Sequence, residues 1–318
     1  MSEFRVRTDL ALEAKESFEE DNVEIRGVRI DESYDEENEI TITQVVIETK
    51  NGAKAMGKPM GTYVTLEAPN MAIPDAGYHK EISKVLADYL KILLEKKKEE
   101  QSVLIVGLGN REVTPDSLGP LVVDNLLITR HVVKEYGKYA MGREKVNSIS
   151  GIVPGVMAQT GMESAEIVKG VIDETNPDLL IVVDALAARS TKRLNRTIQI
   201  TDTGINPGSG VGNHRNAINS EVMGIPVIAI GVPTVVDAAV IVNDAMENMF
   251  QAMTCSESLK GIENVLGTFN MAEKHELFRE LLSPQLNSMF VTPKDIDETM
   301  KRLSYTISEA LNMVFQTT

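Results

Sequence analysis

The chain has 318 residues, a formal net charge of −15, 42% hydrophobic residues, no Trp and one cysteine. That length suits one large α/β domain or two modest ones, with a core that is mostly aliphatic and gap-filled by 15 Met. The acidity argues against a direct nucleic-acid partner, because phosphates need a basic surface. Cys255 has no partner for an internal disulfide and no His or basic neighbour to lower its pKa, so a catalytic thiol is not expected. No apolar stretch reaches membrane-spanning length and the first residues lack a signal peptide's apolar centre, so the sequence reads as cytoplasmic, with no membrane partner.

Residues 1–20 are polar and charged and read as an arm. From 23 to 68 the pattern is strand-like: Val23, Ile25, Val28 and Ile30, then Ile40–Ile47, then Thr62–Leu66. The acidic stretch Asp31–Glu39 reads as a solvated hairpin loop. Gly52–Lys58 nominally fits a phosphate loop, but Pro59 stands where Ser or Thr is required, and a hairpin turn is expected instead. Ile82, Val85, Leu86, Tyr89, Leu90 and Leu93 recur at helical spacing and predict a helix over 80–99. Beyond it, strands are expected at 102–108, 147–152, 179–184, 196–201 and 225–231, with helices near 117–137, 161–175, 234–253 and 293–315. That alternation predicts an α/β fold, a mainly parallel sheet covered by helices on both faces. The weakly periodic stretch 254–290 reads as an inserted lobe.

Two aspartates stand out. Asp116 follows the apolar run Val103–Val106 and the turn Gly107–Asn110, and Asp184 directly follows Leu179–Val183. Open parallel sheets collect ligands and chemistry at the carboxyl ends of their strands. Two carboxylates at one such edge can share a proton and divide the acid and base roles, as in a peptidase, or bind a metal. Asp184, behind its apolar strand, is expected to hold the higher pKa and Asp116 to act as base. The bland readings are a helix cap for Asp116, an ion pair with Arg189 or Arg193 for Asp184, and a helix first turn for Asp237.

The glycines at 107 and 109 lack the third glycine of a dinucleotide fingerprint, since Glu112 holds that place, so they are expected to turn the backbone and present Asn110, Thr114 and Asp116 at the sheet edge. The run Gly204–Gly212, with Gly208, Gly210 and Gly212, reads as a backbone wall along a substrate groove. His214 alone among the four histidines lies near these segments, and no Gly-x-Ser-x-Gly elbow is present. At this point a metal-assisted peptidase using Asp116, Asp184 and His214 or Glu163 stays open, as does a non-catalytic carbohydrate- or nucleotide-binding protein.

Several longer segments resemble the germination protease family of spore-forming bacteria. They are Val6–Ala11, Gly107–Asn110, Val113–Pro120, Val183–Ser190, Asp202–Asn213, Gly231–Ala238 and Val291–Asp297, so the resemblance spans essentially the whole chain. It implies an atypical aspartic-type endopeptidase with an α/β fold similar to hydrogenase maturation proteases and an N-terminal β-rich portion at 23–68. It implies Asp116 and Asp184 as the essential pair. From the reading of the residues, Asn110, Thr114, Arg189 and the glycines Gly208, Gly210 and Gly212 are expected in support, and no cofactor or metal ligand is assigned. It implies a homotetrameric zymogen of the forespore and spore core that degrades small acid-soluble spore proteins at germination. Family substrates are cut after an acidic residue and before a large apolar and then a small one. Thr8-Asp9-Leu10-Ala11 fits, so self-cleavage between Asp9 and Leu10 is expected, with 1–9 as propeptide and 10–318 as one peptidase domain.

Overall fold

A computed structural model describes residues 10–12, 25–94, 100–208, 215–238, 240–242, 244–245 and 289–316. In chain order these form β1 (Val28–Asp35), β2 (Ile40–Ile47), α1 (Lys50–Met56), β3 (Gly61–Glu67), α2 (Ala76–Leu94), β4 (Ser102–Gly107), a 3₁₀ turn (Thr114–Asp116) and α3 (Leu118–Asp124). There follow α4 (Arg130–Tyr136), β5 (Ser148–Ile152), α5 (Met157–Thr160), α6 (Ser164–Thr175), β6 (Leu179–Ala188) and β7 (Thr197–Thr201). The last described elements are α7 (Ser220–Met223), β8 (Val227–Asp237), β9 (Phe290–Val291) and α8 (Ile296–Gln316).

The described strands join in one nine-stranded sheet, ordered β1-β2-β3-β7-β8-β6-β4-β5 with β9 on β8. The α/β class and the N-terminal β-rich portion are as expected. The pairing is more mixed than the sequence suggested. β5, β4, β6 and β8 run parallel, whereas β1, β2, β3 and β7 add antiparallel neighbours to the edge of β8. The parallel strands are continuous Val, Ile and Leu runs because helices cover both of their faces. β1, by contrast, is an edge strand exposed on both sides, and its charged residues, with Arg29 Nη1 3.0 Å from Asp31 Oδ2, discourage pairing with another chain.

Alternation along each strand divides the core. Ile40, Val64, Ile198, Ile230, Ile181 and Ile105 pack beneath α2 and α8. On the opposite face Leu104, Val106, Leu180 and Val182 meet Ala165 and Val168 of α6, while Val45, Ile47 and Tyr63 meet Ala11 and Met56. The helices form because their apolar residues fall on one side, and β-branched residues are left to the strands.

Four local expectations are corrected. Asp31–Asp35 belong to β1 and only residues 36–39 turn, because β2 supplies the ladder and solvent serves the acidic side chains. The phosphate-loop look-alike is neither that nor a hairpin. Thr49 Oγ1 accepts from Gly52 N at 3.1 Å and starts α1, and Gly57 ends it at φ 64°. The helix expected over 117–137 breaks between α3 and α4, where Thr129 N donates to Ile149 O and Leu127 N to Asn312 Oδ1. Finally β6 and β8 run on together past a bulge at Leu186/Ala187, so Val227–Asp237 is strand where a helix was expected from 234. What 246–288 adopt, including most of the expected lobe and Cys255, lies outside the described residues.

Candidate active site

The long β6 changes where Asp184 sits. Asp184 does not end its strand; it pairs with Gly231 in mid-ladder. β4, however, stops at Gly107, level with Val183, so Asp184 is the first β6 residue past the end of β4. The expected strand-end position therefore holds relative to β4 alone. The side chain is 6% exposed and lies on the α6 face, in phase with Leu180 and Val182, and its Oδ1 accepts from Ala185 N at 2.9 Å.

The turn that bears Asp116 is fixed on the sheet by close backbone packing. Leu108 N donates to Val183 O at 2.8 Å just beyond the last β4 pair. A Cβ on Gly119 would lie 2.4 Å from Leu108 O and 2.5 Å from Val183 O, so only a glycine lets α3 start this close to both strands. Gly109 turns at φ 112°, and a Cβ there would lie 1.9 Å from Asp116 O. From β8, Thr234 Oγ1 donates to Pro115 O at 2.6 Å. The 3₁₀ turn that bears Asp116 is thus packed against β4, β6 and β8 at once, and Asp184 directly follows Val183, whose carbonyl accepts the Leu108 N–H.

Asn110 N donates to Asp116 Oδ2 at 2.8 Å, and Asn110 Oδ1 accepts from Gln159 Nε2 at 3.0 Å, so the loops after β4 and β5 share one polar link. Burial pushes the Asp116 carboxyl above its ordinary range; the Asn110 N–H and the charge of Arg215 oppose that rise. This qualifies the simple assignment of Asp116 as an ordinary low-pKa base. Thr114 opens the same turn, where its carbonyl accepts from Ser117 N and Oγ. Val113 and Met157 expose apolar surface beside the Asn110–Gln159 link.

Arg189 follows β6 directly and is half-buried. Arg193 Nε donates to Glu67 Oε1 at 3.1 Å, which gives that arginine a structural role on β3. Asp237 closes β8 opposite Phe290 and is not in a helix first turn. Of the glycine-rich run, Gly208 is described, at φ 73°. Gly210, Gly212 and His214 lie outside the described residues, as does Asp9. The run leaves and returns through a tight neck, Ile205 and Ile218 exchanging two hydrogen bonds of 2.9 Å, and Ile218 packs with Leu108. Glu163 starts α6 and its Oε2 accepts from Asn216 N at 3.3 Å. Among the described residues no three or more His, Cys, Asp or Glu side chains gather as a metal site. A cavity of about 650 Å³ lined by Asp178, Leu179, Asp202 and Val227 opens at the opposite, amino ends of β6 and β8, away from the carboxylates.

Sequence reasoning missed Gln159, Arg215 and Thr234. Gln159 carried no motif, Arg215 acts across space, and Thr234 was placed in an expected helix.

Asp116 and Asp184 on this α/β sheet are the candidate hydrolase residues, and comparison with known proteins gives the class. The sequence profile described as germination protease matches residues 6–257. Germination proteases of Caldanaerobacter subterraneus subsp. tengcongensis and Clostridium tetani are 48% and 45% identical to this chain, each covering 98% of it and 94% and 95% of their own lengths. That of Bacillus cytotoxicus is 40% identical over 98% of this chain and 94% of its own. Among solved structures, a NiFe hydrogenase maturation protease HycI from Thermococcus kodakarensis KOD1 is 19% identical, with a TM-score of 0.32, covering 72% of this chain and 99% of that one.

This chain belongs to the germination protease family, and it is a peptidase of spore germination. No described helix is long and apolar enough to cross a membrane.

Proposed function

We propose that the chain is an aspartic-type endopeptidase whose working pair is Asp116 and Asp184. The observation that supports this reading is that the close-packed turn bearing Asp116 leads on from the end of β4, at the level where β6 carries the buried Asp184 past it. Hydrolysis of a peptide requires a water deprotonated as it attacks and a proton for the leaving amine. One carboxylate takes the proton as the water oxygen bonds to the carbonyl carbon. The other, protonated, gives its proton to the nitrogen as the C–N bond breaks. Two sheltered carboxylates can hold the single shared proton that this division needs, and such a pair titrates as a unit. The raised pKa of Asp116, caused by burial, makes it hold a proton more readily than an exposed aspartate would. Arg215, whose charge is felt at Asp116, and backbone N–H groups of the glycine-rich run are the candidates to balance the oxyanion.

The substrates on this reading are small acid-soluble spore proteins, cut in the spore core. The chain is made as a zymogen, self-associates as a homotetramer, and removes residues 1–9 itself to leave a single peptidase domain from residue 10. Family membership supports these assignments, and the fit of Asp9-Leu10-Ala11 to the family cleavage pattern supports the last. The test is to incubate the pure full-length chain at mildly acidic pH and sequence any new N-terminus. A terminus at Leu10 is expected; persistence of Met1, or cutting elsewhere, contradicts the zymogen reading.

A further inference from the structure

The residues just after the expected cleavage point are seated in the protein interior. Leu10 and Ala11 are each 0% exposed and Leu12 is 4% exposed. Ala11 packs with Val45, Ile47, Met56 and Tyr63, and its backbone N–H donates to Gln199 Oε1 at 2.7 Å, a buried bond spanning 188 residues of sequence. A buried amide side chain that accepts from so distant a backbone N–H fixes that segment in one register.

Strand register shows where Gln199 stands relative to the carboxylates. Gln199 on β7 pairs with Gly231 on β8, and Gly231 pairs with Asp184 on β6. Ile198 and Ile200 face the α2–α8 core, as do Ile181 and Val183. By alternation Gln199 and Asp184 therefore share the other face. They stand in one row across the sheet, two strand spacings or about 10 Å apart at the backbone. The residue between them, Gly231, has no side chain, and Leu186 packs where one would stand, with its Cδ1 2.4 Å from the position of a Cβ. The row continues from Gln199 to Thr65 and Thr43 on β3 and β2, both buried. The only peptide nitrogen between Ala11 and the expected scissile carbonyl is that of Leu10.

We propose that Gln199 is a positioning residue for maturation: by holding the Ala11 N–H it seats residues 10–12, the segment directly after the bond to be cut, on the sheet face that bears Asp184. The inference rests on the self-cleavage reading above. In the step itself, water oxygen joins the Asp9 carbonyl carbon, the bond to the Leu10 nitrogen breaks, and that nitrogen leaves as the new amine. Leu10, Ala11 and Leu12 stay in place afterwards as the first residues of the mature core.

The experiment follows conversion of the full-length chain to the Leu10 terminus over time at mildly acidic pH, in wild type, Gln199→Leu and Gln199→Glu. The fully matured product of each is then assayed on a separate peptide containing Asp-Leu-Ala. Gln199→Leu removes the acceptor and should mature about tenfold more slowly. Gln199→Glu keeps an acceptor oxygen and should mature within about twofold of wild type. Peptide cleavage by the matured products should agree within about twofold, because the residue acts on the tethered segment alone. Equal maturation rates in Gln199→Leu and wild type would overturn the inference. So would a parallel loss of maturation and peptide cleavage, the mark of a merely structural role. If wild type itself yields no Leu10 terminus, the self-cleavage reading falls first, and this inference with it.

Discussion

The two halves of the sheet handle polar groups in opposite ways. In the parallel half, β4 from Val103, β6 up to Val183 and β8 up to Val232 are apolar, and the 3₁₀ turn bearing Asp116 is held against them by backbone contacts that tolerate no side chain at Gly109 or Gly119. In the antiparallel half, Thr43, Thr65 and Gln199 lie buried in the middle of strands, and the glycine that ends α1, Gly57, has nothing within 4 Å of where its Cβ would stand. Within β4, β6 and β8 the one buried charged side chain is thus Asp184, whereas the antiparallel half spreads buried neutral polar side chains along a row that receives the N-terminal segment.

The comparison can be broken at several points. The largest effect is expected at the carboxylates: Asp184→Asn or Asp116→Asn should reduce peptide cleavage by about a thousandfold or more while the far-ultraviolet circular dichroism stays that of wild type. Either variant retaining near-wild-type cleavage would remove the proposed pair. Next come the glycines. Gly119→Val forces backbone apart at Leu108 and Val183 and should destabilise by more than about 3 kcal/mol in urea unfolding. Gly57→Ala meets only the strain of a left-handed backbone, about 1–2 kcal/mol. Equal losses at the two sites would erase the contrast between a glycine packed on backbone and one in open space.

A third effect concerns pH. Burial raises the Asp116 pKa above its ordinary 3.8, so the folded chain holds that proton more tightly than the unfolded chain. Any stability this group gives is present below pH 3.8 and is lost as pH rises through the raised value. Asp116→Asn should therefore melt above wild type at pH 7, with the gap closing towards pH 3; a constant gap across that range would show that ionisation is not its cause. The smallest effect is expected in the polar row. The Thr65 hydroxyl is buried with no hydrogen-bond partner among the described residues, so Thr65→Val should be neutral or stabilising by up to about 1 kcal/mol in thermal melts. A loss of stability there would mean that the hydroxyl is bonded.

Much of the parallel half was legible in the sequence because its strands are unbroken aliphatic runs and its helices carry clear apolar faces. Val103–Val106 and Leu179–Val183 gave the strands, and the residues just past them gave both aspartates. The extension of β6 and β8 was not legible, since Ala185–Ala188 suits helix and strand equally and only mutual pairing decides. Helix α1 hid behind a loop-like glycine pattern, although its Thr49 cap and Gly57 stop were in plain view. The antiparallel placement of β7 depends on partners far away in sequence. So do the approach of Arg215 to Asp116 and the Ala11–Gln199 bond, and no local pattern records such contacts.

The central claim is that Asp116 and Asp184 act as one site. The most direct test is the peptide-cleavage rate of matured wild type, of each Asp→Asn variant made by mixed maturation with active wild-type protein, and of the double variant made the same way. If the two carboxylates share one reaction, the double variant will be no slower than the slower single variant, because removing either already abolishes the exchange of the proton. Losses that multiply, with the double variant slower by the product of the two single effects, would mean that the aspartates act independently and would contradict the account.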